Sequence, residues 1–153
     1  MRAREYLETV IVSENDIHQM IVAQSAAKTY GFETTNLNRL SEILGGVSVI
    51  LSLLFKLPTP AKVISALLGL LGVLGSGQVT VENIVENGIK ALGELDKWML
   101  DHPQYDLVKV KMSFLEYSDI PNSDPDTIRF VEDTSPNYIV AVHTKNGGWI
   151  LNE

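Results

Sequence analysis

Three histidines, nineteen acidic residues and no cysteine make up the residues on which chemistry could be built. His18, His102 and His143 are the candidates for acid–base work or metal ligation, because imidazole titrates near neutral pH and offers a nitrogen donor. They fall in three separate segments, and none sits in a triad or metal-ligand motif. His18, beside Gln19, is read as having no second ligand at helical spacing, and a surface or capping role is expected for it. Asp101 and His102 make an acid–imidazole pair, which Pro103 interrupts at once. Asp119, Asp124, Asp126 and Asp133 offer carboxylates for a weak calcium ion but lack the spaced ligand loop; Asp-Pro turn chemistry explains them more simply. Gly69, Gly72, Gly75 and Gly77 suggest a phosphate-cradling loop. They fail that reading, since helix rather than strand precedes them and no GK[ST] or GxGxxG follows. Without cysteine there are no disulfides, thiolate metal sites or cysteine nucleophiles. No enzyme activity, catalytic residue, cofactor, metal or small-molecule substrate is therefore expected.

The elements around these residues carry a clearer signal. The stretch Ser41 to Ser76 is almost wholly apolar, broken only by the Leu57-Pro58-Thr59-Pro60 turn with Lys56 and Lys62 on its flanks. Ser41, Gly45, Ser48 and Ser52 step by four, three and four, and so do Ser65, Gly69, Gly72 and Ser76. Such steps keep residues on one helix face. The two sets mirror each other across the prolines, which predicts an antiparallel helical hairpin over 41–76 packed small stripe against small stripe. The other faces are bulky: Val47, Ile50, Leu51, Leu54 and Phe55 on the first arm, Leu67, Leu70, Leu71 and Leu74 on the second. Helices apolar all round must be buried in protein or in lipid.

Taken in order, residues 3–12 read as helix or as strand. Ser13 opens a helix that Tyr30-Gly31 ends, Thr34 or Thr35 caps the first arm, and Pro60 starts the second. Gly75-Ser76-Gly77 stops it, and Thr80 caps a further helix whose seam is Val81, Val85, Gly88, Leu92, Leu95 and Met99. From Tyr105 the period switches to two. Val108, Val110, Met112 and Phe114 share one strand face, 127–132 and 138–144 are further strands, and Asn146-Gly147 turns into a last one at Trp149. In the strand at 138–144, Tyr138, Val140 and Val142 are expected on one face. The fold class is α+β: a single domain over 1–153, with a helical bundle built around the hairpin over 1–103 and a small antiparallel meander over 104–153.

With 153 residues the chain buries roughly 70% of its unfolded surface and needs no staples. A net charge of −7 disfavours nucleic acid and anionic lipid. No signal peptide is expected at the N-terminus, which lacks an apolar h-region. Compartment stays open, with secreted, cell-surface or membrane-associated settings slightly favoured over cytoplasm. The preferred function is a non-enzymatic structural or interaction protein that self-associates through the hairpin as a homo-oligomer or polymer. The alternative is a membrane-active protein whose hairpin enters lipid as a re-entrant or pore-forming element. Each apolar arm is 15 residues, about 22 Å at a rise of ~1.5 Å per residue, which is short for a bilayer core of ~30 Å.

Overall fold

The computed structural model describes residues 1–151. Residues readable either way at the N-terminus form strand β1 (Arg2–Val12), because a partner is available along its whole length. It runs antiparallel to β2 (Leu107–Ser118), from Arg2 opposite Ser118 to Val12 opposite Val108. Val10 and Val12 face the core, whereas Leu7 and Ile11 stay exposed.

Helix α1 (Glu14–Ala26) starts with a full capping box: Ser13 Oγ accepts from the Asp16 amide, and Asp16 accepts from the Ser13 amide. It does not stop at Gly31. The chain continues as a π-helical segment (Ala27–Glu33), and the left-handed residue is Thr35, at φ 50°. Gly31 serves contact instead, since a Cβ there would overlap the Leu67 side chain. Asn36, rather than either threonine, caps α2 (Leu37–Gly46). The first arm is broken: two glycines before three β-branched positions weaken the helix, and Val47 leaves helical geometry. A 3-10 turn (Ser48–Ile50) leads into α3 (Leu51–Phe55). Helix α4 (Pro60–Leu74) has Thr59 as N-cap and Pro60 in its first turn. The stop at Gly75 is a change of direction, and α5 (Gln78–Asp101) begins before Thr80 without a side-chain cap.

The sheet is not a meander. β2 is central; β3 (Ile128–Asp133) and β4 (Ile139–Thr144) both pair with it, β3 along Ser113–Tyr117 and β4 along Leu107–Val110. β5 (Gly148–Leu151) pairs with β4 through the expected hairpin, Gly148 taking φ 72°. In β4 the residues turned inward are Ile139 and Ala141, whereas Tyr138 is exposed and Val140 half-buried; Val142 is buried as expected. The irregularity where β2 changes from Lys109 to Val110 shifts the register there.

Helices cover the outer edge of β3. Gln24, wholly buried in α1, accepts from the Val131 amide at 3.0 Å and donates to the Val131 carbonyl at 2.8 Å. Its Nε2 also donates to Val85 O at 3.1 Å. One side-chain amide thus substitutes for a neighbouring strand and ties β3 to α1 and α5. On α5, Gly88 lies directly against the strand, and a Cβ there would overlap the Val131 carbonyl. A methyl at Gly88 has no soft neighbour to displace. Gly88→Ala is expected to destabilise the fold by about 2 kcal/mol or more through overpacking. Gly93→Ala, in the same helix with open space around it, is expected to stabilise by up to ~1 kcal/mol. Urea midpoints of the two variants check this, and a Gly88→Ala protein as stable as the parent would contradict the contact.

Candidate functional site

The stretch 41–76 folds as α2, a 3-10 turn, α3 and α4 rather than as a clear two-armed hairpin, and its faces are turned the other way from the sequence expectation. Val47, Ile50, Leu51, Leu54, Phe55, Leu67 and Leu70, expected to face a partner or lipid, lie in the core, and Leu71 and Leu74 are half-buried against it. The sheet and the other helices cover these side chains within one chain. The stripe residues Ser41, Gly45, Ser48 and Ser52 are all exposed, as are Gly72 and Ser76. A Cβ at Gly45 or Gly72 would meet nothing within 4 Å. The stripes therefore do not supply the contact between the arms. The second stripe instead meets the loop after β2: Ser65 Oγ donates to Asp124 O at 2.9 Å, and Ser123 fills the space over Gly69.

A buried polar network fixes this orientation. Arg129 of β3 is 2% exposed. Its guanidinium donates to the Leu53 carbonyl at 2.6 Å and the Leu54 carbonyl at 3.3 Å, at the end of α3, where a positive charge complements the helix dipole. It also donates to Tyr6 Oη, pairs with Glu8 at 2.9 Å and stacks over Phe114. Beside it Glu116 accepts from Tyr6 Oη at 2.9 Å, Lys56 at 3.1 Å and Arg4 at 3.1 Å. Lys56 is left-handed, at φ 62°, as the last residue of the arm. The network's charged members thus hold the end of α3 onto β1, β2 and β3.

The three histidines are not brought together. His102 bonds the Trp98 carbonyl and stacks on Trp98, with Tyr105 stacked beside both rings, so Asp101 is not its partner. His143 pairs with Asp106 at 2.6 Å, and that contact holds the Asp106 carboxyl below its ordinary range. His18 does have helical-spacing company: Glu14 stands four residues earlier, and Asp96 reaches both from α5. One ligand atom from each of the three lies within 4.8 Å of the others. The Glu14–His18 spacing is visible in the sequence; the Asp96 contribution is not. Of the acidic loop, Asp119 pairs with Arg2 at 2.9 Å and, like Asn122, takes a left-handed backbone.

No protein-family model matches the chain, and no curated protein or solved structure matches it either.

Burial alone would push the Glu116 carboxyl up, but Lys56, Tyr6 and Arg4 outweigh it and hold it below the ordinary 4.5. A lowered folded-state value means that its contribution is complete above about pH 4.5 and is lost as pH falls through the folded value. The stability gap between the parent and Glu116→Gln is expected to be constant near neutrality and to narrow in acid below that point. Urea midpoints across the acid range read this directly; a gap that widens on acidification would reverse the assignment.

Proposed function

We propose that the protein is a non-enzymatic structural or interaction protein that self-associates, and that its contact surface is the outward small-residue face of the hairpin. The carrying observation is exposure. Within Ser48–Asp101, where α3, α4 and α5 are separated at residues 56–59 and redirected at Gly75, an 18-residue window is apolar enough to span a bilayer by length and composition, yet only 22% of it is buried. Val49 is 82% exposed, Val79 65% and Leu68 40%, beside glycines that carry no side chain. Apolar surface of this kind on a folded chain marks a contact. Missing Cβ atoms let a second backbone come close, and a patch of this kind on one copy can meet the same patch on another about a two-fold axis.

The same window supports a second reading, in which α4 and its neighbours enter lipid. Against it, α4 itself has 15 residues and Gly75 redirects the chain at its end. Light scattering in detergent-free buffer is expected to give a discrete particle larger than the 16.9 kDa chain. Gly72→Leu should return it to monomer while moving the chain's own stability by no more than ~0.5 kcal/mol, as at an open surface site. Flotation with neutral vesicles tests the lipid reading in the same preparation. A monomer that ignores vesicles would defeat both readings, and an assembly unaffected by Gly72→Leu would move the interface elsewhere.

A further inference from the structure

The start of α1 and the second half of α5 bring three donor groups to one place. Glu14 and His18, four residues apart, project from one helix face, and Asp96 faces them from the helix packed alongside. Two carboxylates are in contact there. That contact, with partial burial, pushes the Glu14 acid above its ordinary value, against the pull of His18. Asp96 Oδ1 is shielded from solvent and has no hydrogen-bond partner. Among the described residues neither Glu14 nor Asp96 has a lysine or arginine ion-pair partner. Two acids held together, an unsatisfied oxygen and an imidazole at their side form an arrangement that a cation would complete.

We propose that Glu14, His18 and Asp96 form a site for one divalent transition-metal ion of the zinc or cobalt type. The donor set selects the class: an imidazole with two carboxylates suits these ions, whereas calcium and magnesium take oxygen donors alone. Ligand atoms bound at ~2.0–2.2 Å from one ion sit about 3–3.5 Å apart, so the three groups must close by a small rotamer adjustment. His18 is exposed and free to make it, and its exposure is also the route of entry. Three protein ligands leave the remaining positions to water.

The test uses the full chain, stripped with EDTA and exchanged into chelator-free buffer. Titration with cobalt(II), followed by visible absorption, and with zinc, followed calorimetrically, is expected to show one ion per chain. His18→Ala should weaken zinc binding by at least about tenfold, as should Asp96→Asn, whereas His102→Ala should leave it unchanged. A thermal readout separates binding from folding. With EDTA present, Asp96→Asn should melt at or above the parent temperature, because a repulsive pair has been removed; with zinc only the parent should gain stability. Far-UV circular dichroism confirms that each variant is folded. The absence of saturable binding up to ~1 mM zinc or cobalt, or binding retained in the His18→Ala/Asp96→Asn double variant, would overturn the site.

Discussion

Burying a strand edge without a neighbouring strand is the constraint on which the rest of the structure depends. β3 pairs with β2 on one side only, and its other edge faces the helices. An unpaired backbone amide and carbonyl in that position would each cost roughly 1–3 kcal/mol. Gln24 answers both with one side chain, and its own four-way hydrogen-bonding capacity is largely used, since Val85 O takes a further bond. The geometry works only if α5 can touch the strand backbone, which Gly88 permits. Helix α1, helix α5 and the sheet are thereby fixed relative to one another before the hairpin is considered.

The orientation of α3 then follows from charge rather than from side-chain size. Arg129 cannot be withdrawn from water without partners, and the free carbonyls at the end of α3 supply two of them. Holding those carbonyls over β3 sets the rotation of α3 about its own axis. Leu51, Leu54 and Phe55 are directed into the core, and Ser48 and Ser52 are left outside. Phe55 and Phe32 both meet Phe130 edge-on, which closes the apolar side of the same arrangement. The Lys56–Glu116 ion pair fixes the start of the turn after α3 to β2, and buried leucines hold α2, α3 and α4 along their lengths.

This explains what was legible in the sequence. The seam of α5 and the alternation of β2 up to Phe114 were readable because each is a local period facing a single core, and the residues expected to be buried are buried; Ala91, Leu115, Glu116 and Tyr117 are buried besides them. The Pro60 start was readable from backbone chemistry, and so was the last hairpin, although its left-handed residue is Gly148 rather than the Asn146-Gly147 pair. β1 was not, because its identity comes from a partner more than ninety residues away, opposite β2. The sheet order was hidden for a like reason: β3 and β4 follow each other in sequence but share β2 rather than each other. The mirrored spacing of small residues was real, and which face it occupied was not in it. Periodicity locates a stripe on a helix and cannot say whether that stripe turns inward or outward. Gln24 and Arg129 decide this, and each is a single polar letter with no pattern around it. Glu14 stands four residues before His18, a spacing that the sequence reading passed over when it found no second ligand, and only the packing of α5 against α1 adds Asp96.

The outward stripe has a physical consequence of its own. Glycine inside a helix costs about 1 kcal/mol relative to alanine, and it is ordinarily retained where its missing Cβ admits a neighbour. Gly31, Gly69 and Gly88 have such neighbours in Leu67, Ser123 and Val131. Gly45, Gly46 and Gly72 have none within 4 Å; Gly45 and Gly46 end α2, but Gly72 lies inside α4, and there the single chain bears the cost without a packing return. Gly93 is alike in this respect, but it stands alone on α5. The hairpin glycines lie beside serines and exposed aliphatic residues on helices already held rigid by the charged network. A rigid, nearly side-chain-free surface loses little conformational entropy on contact, because there are few rotamers to freeze. That is the property a close helix–helix contact needs, and a second backbone laid along the stripe would give those glycines the neighbour that the monomer does not.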